Sequence, residues 1–128
     1  MRQNIIILST ILLLSGCAPS LKTNITNQEK SLTTNDKVAF LDVKHNVPET
    51  AKKVGTAKFG DSGFSTDCDF NSNLIKARDV ARKNGANIVK VIETKKPDIW
   101  SSCYRMKIEF YKYDGDVTTL PQYQLQIN

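Results

Sequence analysis

Apolar positions along the chain fall into short blocks separated by polar stretches. The first block, from Ile5 to Leu14, is nearly continuous rather than periodic. It is too short to span a bilayer, which takes about 20 apolar residues. Residues 18–36 are dominated by Ser, Thr, Asn, Gln and Lys and show no period. Such a stretch cannot bury enough surface to offset its chain entropy. It reads as a flexible tether with a root-mean-square reach of roughly 25 Å.

Residues 37–113 carry the patterning of a folded domain. Val38-Ala39-Phe40-Leu41-Asp42-Val43 reads as a first strand. A connection from Pro48 to Lys53, with room for one helical turn, leads to a second strand, Val54–Phe59. Gly60-Asp61-Ser62-Gly63 breaks it. Asn71 or Ser72 then caps a helix running to about Asn84, with Leu74, Ala77 and Ala81 on one face and Val80 beside them. Gly85 is its stop, since glycine adopts the left-handed conformation at helix ends. Ile88–Ile92 reads as a third strand and Lys95-Lys96-Pro97-Asp98 as a turn. Cys103–Lys112 is the last strand, with Tyr104, Met106, Ile108 and Phe110 alternating against Arg105, Lys107 and Glu109. The expected order is β-β-α-β-β, an α+β domain with a small sheet of about four strands and one packed helix. Residues 114–128 read as a loosely attached tail, or as an edge strand through Leu120, Tyr123, Leu125 and Ile127.

The N-terminal block gains meaning from its flanks. Arg2 precedes it, and Leu14-Ser15-Gly16-Cys17 follows it. Those four residues resemble the lipobox of bacterial lipoproteins. The resemblance implies that residues 1–16 are a cleaved signal peptide and that Cys17 becomes a lipidated N-terminus, the start of the 17–36 segment. Each buried methylene of such a lipid contributes about 0.8 kcal/mol, and several chains make the attachment stable. No cofactor beyond that covalent lipid is expected. In two-membrane bacteria an Asp after the cysteine tends to retain a lipoprotein at the inner membrane; Ala18 stands there, so the outer membrane is the expected site.

The chain has 18 Lys+Arg and 13 Asp+Glu. Removing residues 1–16 removes only Arg2 and leaves 17 basic against 13 acidic side chains, a net charge of +4. That favours loose contact with anionic lipid headgroups or acidic partners. No basic stripe with interleaved aromatics points to nucleic acid.

With Cys17 lipidated, Cys68 and Cys103 remain, an even number in an exported chain, which reads as one disulfide. The alternatives are a free redox pair or half of a metal site. The two lie 35 positions apart. A bond between them would contribute roughly 3–4 kcal/mol in the chain-entropy model, which matters in a domain this small.

Other motifs resolve to ordinary roles. Gly60-Asp61-Ser62-Gly63 is similar to the nucleophile loop of trypsin-like proteases, but Phe64 stands where those enzymes continue with Gly. His45, the only histidine, would be the only candidate base. Asp67, Asp69 and Asn71 resemble the start of an EF-hand loop, but Ser72 and Arg78 stand where Gly and a bidentate Glu are needed. Arg78, Arg82 and Lys83 read as a solvated helix face. Trp100 either folds over the sheet edge or joins Phe64 and Ile99 in an exposed patch beside the disulfide. Aromatics in such a patch are favoured as partner-binding anchors.

Taken in order, the lipobox, the polar tether, Gly60-Asp61-Ser62, a cysteine before a helix, Gly85-Ala86-Asn87-Ile88-Val89 and Cys103-Tyr104-Arg105 resemble the RcsF-like outer-membrane stress-sensing lipoproteins. In that family the cysteine of the Cys-Tyr-Arg step pairs with the one before the helix, which implies Cys103 with Cys68. The family's second disulfide has no cysteines here, and the tether lacks that family's proline and basic residues, holding only Pro19. The resemblance implies a non-enzymatic lipoprotein that binds other envelope proteins in stress sensing. A small-ligand or metal-ion binding module, or a structural surface lipoprotein, are the competing expectations.

Overall fold

The computed structural model describes residues 21–60 and 67–126. They form five strands and one helix: β1 (Leu21–Ile25), β2 (Ala39–Leu41), β3 (Lys52–Phe59), α1 (Phe70–Lys83), β4 (Ile88–Lys95) and β5 (Arg105–Lys112). The strands make a single sheet in the order β1-β3-β5-β4-β2. Every pairing is antiparallel except β2 with β4. The class is α+β with one packed helix and one disulfide, Cys68–Cys103. The sheet has five strands rather than about four.

Local chemistry explains each element. Along β5, Met106, Ile108 and Phe110 are buried while the alternate residues face outward. Asp69, two or three residues ahead of the expected cap, is the helix N-cap; its carboxylate accepts from the Ser72 N–H at 2.8 Å. Leu74, Ala77 and Ala81 form the buried helix stripe. Gly85 ends the helix at φ 78°. β4 runs three residues past Ile92, to Lys95. A bulge between Val91 and Glu93 lets Ile92 turn outward and shifts the alternation, which hid the strand's second half.

The two faces of the sheet are treated differently. On one, α1 buries Ala57 and Phe59 of β3, Val89 and Val91 of β4, and the three apolar residues of β5. On the other, Ala39, Leu41, Ile88 and Val117 form a second, smaller cluster, joined by Tyr111 and Leu120. Among the described residues, only the β2–β4 end of that face is therefore covered. Lys90 lies there, buried, and donates to the carbonyls of Asp42 (2.6 Å), Val43 (2.9 Å) and His45 (2.6 Å). Burial lowers its pKa, against the opposing charges of Asp42 and Glu109. It closes the turn that follows β2.

The segment expected to be a free tether is part of the fold from Leu21 onward. β1 pairs antiparallel with β3 over its whole length. Farther on, the Glu29 and Leu32 amides donate to the carbonyls of Asn84 and Arg82, and the Ser31 hydroxyl donates to Lys83 O at 2.6 Å. These are the orphan carbonyls of the helix end. Both contacts lie over glycine. A Cβ on Gly55 would come within 2.5 Å of Asn24 O, and one on Gly85 within 2.5 Å of Lys30 O. The tail is ordered as well. Val117 is buried, and the Tyr123 amide donates to Phe40 O at 2.7 Å in an isolated bridge on β2.

Gly55→Ala separates a docked segment from a free one. Replacing glycine in an unencumbered strand stabilises by roughly 0.5–1 kcal/mol. Here the added methyl meets the β1 backbone, so we expect a loss of about 1–3 kcal/mol in urea denaturation.

Candidate binding surface

The disulfide and the loop at residues 96–104 occupy the end of the sheet where β3 and β4 finish and β5 begins. Cys68 and Cys103 are joined with Cα atoms 5.0 Å apart. Three further contacts brace the same point. The Tyr104 amide donates to Cys68 O at 3.0 Å. Asn73, almost wholly buried, donates to Tyr104 O at 3.0 Å. The Phe70 and Tyr104 rings meet edge-on at 5.8 Å, a favourable aromatic geometry. The helix start and the loop's C-terminal end thus move as one body.

The loop is organised internally by Asp98. Its carboxylate accepts from the Trp100 amide (2.8 Å), the Ser101 amide (2.9 Å) and the Arg105 guanidinium (2.7 Å). The Arg105 hydrogen bond, followed by the Trp100 amide, holds the Asp98 pKa below its ordinary value. Arg105 also donates to Lys96 O at 3.2 Å and so ties both ends of the loop together. At its tip Ile99 is 90% and Trp100 83% exposed. Of the two positions open to Trp100, folding over the sheet edge or facing solvent, it takes the second. A large apolar pair held out in water on a braced loop is the feature by which binding surfaces are recognised.

The remaining expected site residues are placed as follows. Cys17 and Phe64, and the Asp61-Ser62-Gly63 part of the glycine-rich loop, lie outside the described residues. Asp67 pairs with Lys76 at 3.5 Å, and Asp69 is engaged as the helix cap. His45 accepts from the Asp42 amide through Nδ1 at 3.0 Å, closing a turn. Among the described residues no group of His, Cys, Asp or Glu is arranged to hold a metal ion, and no helix is long and apolar enough to cross a membrane. Asp98 and Asn73, which brace the loop, carried no functional expectation, and Arg105 entered only through the Cys103-Tyr104-Arg105 resemblance. The legible signal for Asp98 is Pro97-Asp98 followed by Ser101, the composition of an Asx turn. Comparison with known protein families, characterised proteins and solved structures finds no match for the chain.

The Asp98 contacts make the loop pH-sensitive. A carboxyl with a lowered folded pKa stabilises its contacts above the ordinary value of 3.8 and loses them as pH falls through the lowered value. Acidification below pH 3.8 should therefore release residues 98–101, seen as faster amide exchange at Trp100 and Ser101, while the β5 amides stay protected. Asp98→Ala should produce the same loosening at neutral pH.

Proposed function

We propose that this protein is a lipid-anchored, non-enzymatic envelope lipoprotein whose disulfide-stapled domain binds other envelope proteins through the Ile99–Trp100 loop. The carrying observation is the exposure of those two side chains on a loop fixed by Cys68–Cys103, Asn73 and the Asp98–Arg105 pair. Fixing an apolar pair in advance removes much of the ordering cost a partner would otherwise meet. The lipobox-like Leu14-Ser15-Gly16-Cys17 supports attachment through lipid on Cys17, and Ala18 favours the outer membrane where there are two. The resemblance to RcsF-like lipoproteins supports a role in envelope-stress sensing through protein contact.

Two measurements test the reading. Intact mass of protein extracted from native membranes should show di- or triacylation of Cys17, with Cys68 and Cys103 closed to alkylation until reduced. An unlipidated chain would end the anchor assignment. For the loop, crosslinking in intact envelopes should capture partner proteins with the natural chain and lose most of them with Ile99→Ser/Trp100→Ala. Both side chains are in water, so the double variant should keep its stability within about 0.5 kcal/mol. Equal capture by both chains would remove the loop from the interface.

A further inference from the structure

Among the described residues, the sheet face opposite α1 is covered only at its β2–β4 end. Across its open part, Lys22 of β1 stands opposite Lys58 of β3, and Lys58 stands opposite Lys107 of β5. Glu93 of β4 completes the row beside Lys107. Directly opposed side chains on neighbouring strands are about 5 Å apart, and like charges so placed oppose each other. Only Lys107 is neutralised, by Glu93 at 2.9 Å; Lys22 and Lys58 form no ion pair with a described residue. Lysines on edge strands deter edge-to-edge pairing. That accounts for Lys22 but not for Lys58 and Lys107, which lie on the interior strands β3 and β5. The same face carries Lys53, Lys95 and Arg105, each beside a carboxylate: Lys53 with Glu109 at 3.3 Å, Lys95 with Glu93 at 3.9 Å and Arg105 with Asp98 at 2.7 Å. Beneath the row is a shallow cleft of about 340 Å³, bordered by Lys22, Lys58, Lys107, Thr56 and the exposed Ile92.

Position adds to charge. Leu21 opens β1 only four residues after Cys17. Four residues span at most about 14 Å. A lipid on Cys17 would hold the start of β1, and with it the lysine row, close to the headgroups. The basic residues Lys30, Lys37 and Lys83 lie at the far end of the sheet and helix.

We infer that the open sheet face, through Lys22, Lys58 and Lys107, docks on the anionic phospholipid headgroups of the leaflet that carries the anchor. The inference rests on the lipid-anchor reading for its geometry, not for its chemistry. The row presents a plane of ammonium groups to a plane of phosphates, and the cleft admits a glycerol backbone between them. The domain lies with this face toward the leaflet, and the Ile99–Trp100 loop at its end is left at the membrane surface, where a second protein can reach it.

The test uses the chain from residue 17 onward, which contains every element of the fold, with Cys17→Ser so that no lipid can be attached. Co-sedimentation is measured with phosphatidylcholine vesicles, with and without about a third phosphatidylglycerol, at low and high salt. Binding should require the anionic lipid and fall as salt screens the lysines. Each neutralised lysine should weaken it about fivefold at low salt. The Lys22→Gln/Lys58→Gln/Lys107→Gln chain should therefore bind at least tenfold less. The Lys30→Gln/Lys37→Gln/Lys83→Gln chain, with the same net charge, should stay within twofold of the unsubstituted chain. Lys58→Gln alone gives the same reading if the triple variant fails to fold by circular dichroism. Equal losses in the two triple variants would reduce the effect to net charge and overturn the proposal. So would absence of binding by the unsubstituted chain, or capture of an envelope protein by this face in place of lipid. None of these results depends on Cys17, so docking can fail while the anchor stands.

Discussion

A five-stranded sheet has two faces, and the described residues supply one α-helix to cover them. Much of the architecture answers that shortage. The helix takes the face where β3, β4 and β5 present apolar residues in phase. The other face is closed at one end by the segment after β5, which lays Val117 and Leu120 against Ala39, Leu41 and Ile88. Where cover ends, the Tyr111 hydroxyl donates to the Glu109 carboxylate, and burial first, then that contact, pushes the phenol up to about 12. Beyond this pair no described residue covers the face, and its side chains change from apolar to charged within a strand spacing of about 5 Å. The polarity of the open half is a condition of leaving it open, since an uncovered apolar face of that size would recruit other chains. Its being mostly lysine, rather than a balanced mixture, is the part that solubility alone does not require.

The N-terminal segment shows how much structure the backbone can carry without a side-chain pattern. Only Leu21 and Ile25 of β1 pack toward the core. The remainder is held by amides and carbonyls: the β1–β3 ladder, the donations from Glu29 and Leu32 to the helix end, and the close approach to Gly55 and Gly85. Hydrogen bonds of this kind are available to any residue, so a run rich in Asn, Thr, Ser and Lys can dock as firmly as a hydrophobic one. The helix end gains further donors to its last carbonyls, and β3 gains a neighbour that closes its edge.

This bears on what could be read from residues alone. The α1 stripe, the Gly85 stop and the β5 alternation were legible because each is written in side-chain polarity at a fixed period. The cysteine pairing was readable because two cysteines remain once Cys17 is assigned to the expected lipid anchor. β1 was not legible, because two apolar residues separated by Lys22, Thr23 and Asn24 do not rise above chance. The far half of β4 was masked by its bulge, since an inserted residue shifts a period of two onto the opposite face. The loop at residues 96–104 was visible as a turn, but its rigidity was not, because the Asp98–Arg105 pair and the Asn73 contact join residues seven and 31 positions apart. The lysine row is the extreme case. Lys22, Lys58 and Lys107 are scattered in sequence, and only the β1-β3-β5 register makes them neighbours.

An anchor at Cys17 would change what a weak surface can achieve. With a long flexible linker, a domain would explore a volume in which headgroup contact is one event among many. With Leu21 four residues from Cys17, a lipid on Cys17 would convert that contact into an intramolecular one. Its effective concentration is then set by a few residues of chain instead of by the protein in solution. Individual lysine–phosphate contacts worth about 1 kcal/mol, negligible for a free protein at moderate salt, can then fix the orientation of a tethered one. Orientation is what the Ile99–Trp100 loop needs. A braced apolar tip finds a partner efficiently only if it is presented from a constant height and angle, and the lysine face would supply that constraint at the end of the sheet from which the loop projects. The disulfide ties the loop to the helix start, and under the docking proposed above the lysines would fix the sheet with respect to the leaflet. Each of the two surfaces is therefore more useful in the presence of the other.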